Sequence, residues 1–372
     1  MTVIRQLDFF SQESLFVPET EGIKYAGSKL KILPYIVSLV GRLNGIKTVL
    51  DGFSGTTRVA QAFSQLGFDT TANDISIWSE TFAKCYLLAG NSDKFYQELI
   101  DHLNSLQGYE GWFSYFYGGT EMDTKKPFQL KNTKKLDAIR DEIDKLHLND
   151  VDKSVVLTSL IFALDAVDST MGHYVSYLSK WSARSYNNLF MRLPNRFEIK
   201  TKNRVQRLDI FDAISEKHYD LAYFDPPYGS NNEKMPPSRV RYNSYYHIWK
   251  SVILNDKPSL FGKANRRVDS KDTVNPSVFE EYRKDDKNHF IALNALEKLI
   301  RNTEARYVVL SYSSGGRATK QGLMDVLSSN GLLKHIVEID YKRNVMANMK
   351  WTNEWINSKE DYKEYLFLLE KW

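Results

Sequence analysis

The stretch "TVLDGFSGTTRVAQAFSQLGFDTTANDIS", Thr48 to Ser76, reads as strand, tight turn, helix and strand. Val49 and Leu50 favour a strand, and Gly52 and Gly55 mark the turn. Val59, Ala60, Phe63 and Leu66 then recur at helical spacing, and Gly67 closes the helix. The second strand ends at Asn73-Asp74. Such a unit opens a doubly wound sheet. The turn is neither a GxGxxG fingerprint nor a Walker loop, since no Gly-Lys-Ser/Thr follows. It still places Asp51, two glycines and a helix N-terminus at the carboxyl end of the first strand, where ligands bind in open α/β sheets. Helix amides there suit a carboxylate. Asp74, about twenty residues on, is placed to accept hydrogen bonds from ribose hydroxyls. An ordinary βα turn would carry the same glycines; an acid closing the second strand is what separates the two readings.

Working outward, the chain from Ile77 to about Val167 is mainly helical. It is interrupted by candidate loops around Trp112 and Pro127, and "VVLTSLIFALDAV" (Val155–Val167) predicts a buried helix. Strand patterns return at "YDLAYFD" (219–225), "ARYVVLSYS" (305–313), "KHIVEIDYK" (334–342) and "EYLFLLEK" (364–371), the last two as an antiparallel edge. The expected fold class is α/β: a doubly wound, mostly parallel sheet with an antiparallel C-terminal hairpin and a largely helical insertion. Residues 1–77 and 205–372 form the sheet domain and 78–204 the insertion. Residues 230–290, too long for a plain connection, form a basic loop segment that orders on a partner.

With 42% hydrophobic and 26% charged residues, the 372-residue chain is expected to pack as a globular protein. A net charge of +4 is too weak by itself to name nucleic acid as a partner. The lone Cys85 excludes an internal disulfide and a cysteine zinc cage, and a reducing cytoplasm is the simplest expectation. Neither a signal peptide nor a membrane-spanning stretch is read from the sequence. The seven histidines show no ligand spacing, so no metal is expected, and His173 and His247 are read as surface or DNA-facing.

"LAYFDPPYGSN" (Leu221–Asn231) poses the functional question. A buried strand ends in an acid, two prolines that cannot extend a sheet, and an aromatic ring. Proline fixes φ and holds the residue before it extended, so carbonyls project in a preset direction. Asp225 adds acceptor oxygens. Such a knuckle suits an NH2 group, and Tyr228 offers a flat ring for a planar base.

"DPPY" at 225–228, the "DGFSG" turn and "KYAGSK" (Lys24–Lys29) together resemble the N6-adenine DNA methyltransferases of the DNA adenine methylase branch, in their order along residues 24 to 230. "LSYSSGG" (Leu310–Gly316) and "YKR" (341–343) resemble a later strand-loop and the final hairpin of that branch. The chain departs at Gly55-Thr56-Thr57, where many relatives continue Gly-Gly or Gly-Ser-Gly. The resemblance implies the S-adenosylmethionine-dependent methyltransferase fold and that cofactor. It puts Tyr25 near the cofactor and Lys29 at its methionyl carboxylate. Asp51, Phe53 and Gly55 would line the methionyl end, with Asp74 on the ribose and Asp209 near the adenine. Asp225 and the Pro226 carbonyl, with Pro227, would hold the target amine while Tyr228 stacks on a flipped base. If the ring alone serves, phenylalanine would replace that tyrosine with little loss.

Two acceptors on the amine hydrogens would localise the nitrogen lone pair for direct methyl transfer, through positioning and electrostatics. Duplex DNA hides the amine, so the base must flip. Between Lys180 and Arg207 stand eight basic residues against Glu198, and between Gly229 and Arg267 eight against two acids, which suits phosphate contact. The implied partner is double-stranded DNA, in a restriction-modification, orphan or phage setting that allows a cognate restriction endonuclease. The alternatives are the same chemistry on cytosine N4 or an RNA base, and a catalytically inactive DNA-binding specificity subunit.

Overall fold

The computed structural model describes residues 2–5, 16–123, 125–230, 241–271, 274, 277–286, 288–340 and 362–372. Lys234, Arg239 and the "YKR" of the expected hairpin lie outside them. Among the described residues the main sheet has eight strands: β1 (Thr2–Arg5), β2 (Thr48–Asp51), β3 (Asp69–Asn73), β4 (Arg204–Gln206), β5 (Tyr219–Phe224), β6 (Ala305–Ser313), β7 (Gly331–Asp340) and β8 (Lys363–Lys371). Their order is β1-β7-β8-β6-β5-β2-β3-β4. All neighbours are parallel except β8, which runs antiparallel to both β6 and β7. The antiparallel pair of β7 and β8 is as expected, but β8 inserts between β6 and β7 and is no edge. The edges are β1 and β4, and β1 was not anticipated by the sequence reading.

Strand β5 explains why this sheet is doubly wound. Leu221, Ala222, Tyr223 and Phe224 are all buried, as a strand covered on both faces requires. Leu221 and Tyr223 pack with helices α1 (Leu33–Val40) and α2 (Arg58–Gln65). Ala222 and Phe224 point the other way, into a core with α8 (Ile210–Ala213), α11 (Ile291–Asn302) and α12 (Lys320–Ser328). The chain runs from β2 outward to β3 and β4, then returns to β5 beside β2. The β2/β5 boundary is therefore the topological switch point, where a crevice opens beyond the strand ends.

A second core belongs to helices α3 (Ile77–Leu87), α4 (Asp93–Ser105), α5 (Trp112–Tyr117), α6 (Leu130–Lys145) and α7 (Asp150–Val167). Helix α7 is buried nearly all round, as its sequence predicts. The same core contains Tyr245, Tyr246, Ile248, Trp249, Val252 and Ile253, from α9 (Tyr242–Tyr245) and α10 (His247–Leu254). This corrects the reading of 230–290 as a loop segment throughout: its described part includes buried helix. Tyr245, Ile248, Trp249 and Val252 recur at helical spacing, a signal that the charge count concealed. His173 and His247 are corrected with it. Both are buried. His173 stacks on Tyr245 with ring centroids 4.6 Å apart, and His247 Nε2 meets the Tyr174 carbonyl at 3.0 Å. Burial holds His247 well below the usual imidazole range, at about 3, so it packs as a neutral ring. Among the described residues no helix is long and apolar enough to cross a membrane.

Candidate active site

The turn after β2 is shaped by contacts that leave little freedom in residue choice. A Cβ on Gly52 would stand 2.7 Å from the Phe224 ring and 2.9 Å from Ile210. Gly55 takes φ +50°, and so does Thr57 at +64°, a left-handed conformation that costs a β-branched residue. At Thr57 the chain thus holds a left-handed backbone without glycine. Asp74 fastens the turn from β3: Gly55 N donates to Oδ2 at 2.9 Å and Ser76 N to Oδ1 at 2.8 Å. The Ser76 and Ser79 side chains also interact with this carboxylate.

Asp51 is the unusual member. It is 1% exposed, and among the described residues neither carboxylate oxygen has a donor in full hydrogen-bonding geometry, the Ala60 and Phe53 amides lying close without meeting it. Burial pushes its carboxyl well above the usual range, and the nearby Asp225 and Asp74 add to that, while the amides of Ala60 and Phe53 partly offset it. Asp74 is also raised by burial, against the two amides it accepts.

Tyr25 stands in an aromatic column. Its ring stacks on Tyr242 at 5.3 Å and on Tyr246 at 4.7 Å, and Trp249 stacks on Tyr246 at 4.3 Å. Ala26 N donates to the Tyr246 hydroxyl at 2.7 Å. The helical unit thereby docks the "KYAGSK" segment against the glycine turn.

A cavity of about 510 Å³ lies between these parts, at the switch point. Tyr25, Lys29, Asp51, Phe53, Gly55, Asp74, Asp209, Asp225 and Pro227 all line it; Pro226 and Tyr228 do not. Asp209 is exposed, and its Oδ1 caps α8 by accepting from Phe211 N at 2.9 Å. The sequence reading missed the apolar wall beside it. Phe279 meets Phe53 edge-on at 5.5 Å and stacks on Phe211 at 5.9 Å, and Ile75, next to Asp74, lines the cavity while 70% exposed. Ile75 and Phe211 were legible as apolar residues following candidate acids, whereas Phe279 carried no signal.

The Asp-Pro-Pro-Tyr end of β5 is braced from β6. Arg317 N donates to the Tyr228 carbonyl at 2.8 Å, and the Tyr312 hydroxyl to the same oxygen at 3.2 Å. Lys29 does not stand alone facing the cavity. Its Nζ lies 2.8 Å from Asp225 Oδ1 and 2.9 Å from Glu364 Oε1, on β8. The Tyr228 hydroxyl accepts from Lys29 Nζ at 2.6 Å and lies within donating reach of Glu364 Oε1, at 2.6 Å, and of Asp225 Oδ1. Burial pushes the Asp225 carboxyl up to about 6, with Lys29 opposing and Glu364 adding to the rise. Burial alone would lower the Lys29 ammonium, but the two carboxylates outweigh it and hold it above its ordinary value. The Tyr228 ring is covered as well, with Tyr312 at 4.7 Å and Lys29 Nζ 4.9 Å from its centroid.

The basic segments are less positive in space than along the chain. Arg184 pairs with Asp168, Arg192 with Glu21 and Arg196 with Asp93; Lys200 pairs with Glu198, Arg204 with Glu216 and Arg207 with Glu80. In the second segment Arg241 pairs with Glu280, Lys250 with Asp269, and the buried Arg267 with Asp256 and Asp269. Among the described residues no group of three or more His, Cys, Asp or Glu could hold a metal ion.

The chain is 28% identical over 369 residues to modification methylase StsI of Streptococcus sanguinis and 23% over 368 to type II methyltransferase M.FokI of Planomicrobium okeanokoites. It covers 52% and 53% of those proteins with 94% of its own length, and so spans about half of each. It is also 25% identical over 360 residues to type II methyltransferase M.NlaIII of Neisseria lactamica, covering 99% of that protein. The family model of the D12 class N6 adenine-specific DNA methyltransferase matches residues 25–314, well over half of the chain, from the Tyr25 column to the loop after β6; the chain belongs to this family.

Proposed function

We propose that this chain transfers a methyl group from S-adenosylmethionine to the N6 amine of an adenine flipped out of duplex DNA. The observation that carries the reading is the meeting, at the ends of adjacent strands β2 and β5, of the unpartnered Asp51 carboxylate and the Asp225-Pro-Pro-Tyr228 knuckle across one cavity. The residues present fit the cofactor. Asp51 needs a cation or donor, Gly55 lines the cavity without a side chain, Asp74 offers a carboxylate that hydroxyls can share, and Phe211, Phe279 and Ile75 offer an apolar wall for a purine. When bound, S-adenosylmethionine supplies an electrophilic methyl on a sulfonium.

The chain does the rest. Asp225 accepts from the target amine through Oδ2, which has no partner among the described residues, and holds the nitrogen in line. Asp51 and Asp74 hold the cofactor, and Tyr25 closes the cavity over it. Tyr228 meets the base once the Lys29 contact on its ring gives way. The helical unit, 78–204 completed by α9 and α10, is the candidate target-recognition region, with Lys180 and Lys202 among the cations offered to phosphate. A cognate restriction endonuclease and a cytoplasmic setting belong to the same reading, supported by relatives that bear the names of modification enzymes.

The test is direct. Unmethylated phage DNA is incubated with purified protein and labelled cofactor, then digested to nucleosides. N6-methyladenine is expected, and none from Asp225→Ala with an unchanged circular-dichroism spectrum. N4-methylcytosine, or no methylated base at all, would overturn the reading.

A further inference from the structure

Glu364 lies outside the family match, on the last strand, yet it is only 5% exposed and its Oε1 collects three donors. Lys29 Nζ is at 2.9 Å, the Tyr228 hydroxyl at 2.6 Å and Ser311 Oγ at 2.9 Å. The first two are the donors that also reach Asp225 Oδ1. We infer that Glu364 is a positioning residue for methyl transfer: by competing with Asp225 for Lys29 and the Tyr228 hydroxyl, it keeps Asp225 a strong acceptor for the target amine. This rests on the proposed reading of the site and deepens it.

The two carboxylates share their donors. Lys29 carries one positive charge between two carboxylates, so the cluster retains a net negative charge when both acids are ionised. The Tyr228 hydroxyl has one proton for two acceptors. With Glu364 neutral, the ammonium and the hydroxyl both turn to Asp225. A carboxylate already accepting a full ion pair and a hydrogen bond attracts an incoming N–H less. The groups facing Asp225 are Lys29 from the N-terminal segment, Asp51 from β2, Tyr223 from β5, Tyr228 after it, Tyr242 from α9 and Glu364 from β8. Glu364 is the one that touches both of its donors.

The substitutions that test this are Glu364→Gln and Glu364→Asp. Single-turnover methyl transfer to unmethylated phage DNA is measured across pH, with cofactor affinity measured separately by calorimetry. Glu364→Gln is expected to slow the plateau rate by about 10- to 100-fold, the loss of a charge-assisted interaction, with cofactor affinity within about twofold. Its acid limb, expected in the wild type to follow the raised Asp225 carboxyl at about 6, should move lower by roughly one unit, because a neighbouring negative charge is gone. Glu364→Asp keeps the charge and should keep the limb in place while recovering most of the rate. A purely packing role would lower the rate or the melting point without moving the limb, and that result overturns the inference. So does a Glu364→Gln rate and profile equal to wild type. If Glu364→Gln does not fold, Glu364→Ala and the paired Lys29→Met and Lys29→Met/Glu364→Ala variants carry the test. With Lys29 absent, removing the carboxylate at position 364 should cost clearly less than it does with the lysine present, and an equal cost refutes action through the lysine. Failure of the wild-type protein to methylate adenine would instead remove the reading on which the inference rests.

Discussion

Replacing Asp51 by Asn should make the cofactor-free protein more stable and the cofactor-bound protein harder to form. Among the described residues both Asp51 oxygens lack a donor in full hydrogen-bonding geometry, in a residue that is 1% exposed, with Asp225 and Asp74 adding repulsion. Asn leaves the site polar but removes the charge, and an unpartnered buried charge costs more than a neutral polar group, for which the cost is about 1–3 kcal/mol. Taking about 2 kcal/mol, and an unfolding entropy of roughly 2.1 cal/mol/K per residue over 372 residues, the melting temperature should rise by about 2–3 °C. The sign depends on pH. The folded Asp51 carboxyl titrates above its unfolded value of 3.8, so its stability contribution is fully present below that pH. It is lost as pH rises through the folded value, where ionisation is forced on a dry site. The gain from Asn should therefore be near zero at about pH 4 and grow as pH rises toward about 8. Thermal unfolding of both proteins at the two pH values, with and without saturating S-adenosylmethionine, measures all of this. An Asn variant that melts below wild type at the higher pH without cofactor refutes the claim that Asp51 is a held-open partner for a ligand. A cofactor-induced shift equal in both proteins does the same.

Asp74→Ala should weaken cofactor binding by about 1.5–3 kcal/mol in calorimetry, since it removes ribose acceptors and also frees the Gly55 and Ser76 amides; unchanged affinity would exclude both roles. Tyr228→Phe should slow single-turnover transfer by roughly 10- to 100-fold at constant cofactor affinity, because its hydroxyl joins Lys29, Asp225 and Glu364. A rate within about twofold of wild type would return the role to the ring alone. Trp249→Ala should cost about 3–5 kcal/mol in denaturant unfolding, the expected loss for a Trp buried to 1% in a close-packed core; unaltered stability would detach α10 from that core.

What could be read from the chain alone follows from the range of the interactions involved. The strand–turn–helix at 48–76 was legible because glycine, β-former and helical period all agree locally. Asp51, Asp74 and Asp225 were legible because parallel strands put their carboxyl ends on one side, so that strand-ending acids converge without any knowledge of strand order. Three things were not. Glu364 reaches the site through an antiparallel strand inserted between β6 and β7, a topological fact with no local signature. The covering of the Tyr228 hydroxyl depends on that same strand. The basic segments misled because charge was counted along the chain, whereas partners such as Glu21, Glu80 and Asp93 come from far upstream.

The two ends of the cavity divide the electrostatic task. Carboxylates that only hold the cofactor bind the starting state and the transition state alike, and on their own would deepen binding without speeding the reaction. On the proposed reading, Asp51 and Asp74, at the end of β2 and just beyond β3, stand in that position. On the same reading Asp225 differs, because positive charge would develop on the amine nitrogen it accepts from, so that its attraction grows as the reaction proceeds. That growth is worth most when Asp225 meets the amine with its charge unspent, in a site where burial keeps the effective dielectric low. Lys29 would spend the charge if it paired with Asp225 alone. It does not, because Glu364 stands 2.9 Å from the same ammonium. Removing the lysine would leave two adjacent buried acids to share a proton, and removing Glu364 would leave a satisfied ion pair. Only the three together give an ionised acceptor that is held in place and still short of donors, which is the state the target amine completes.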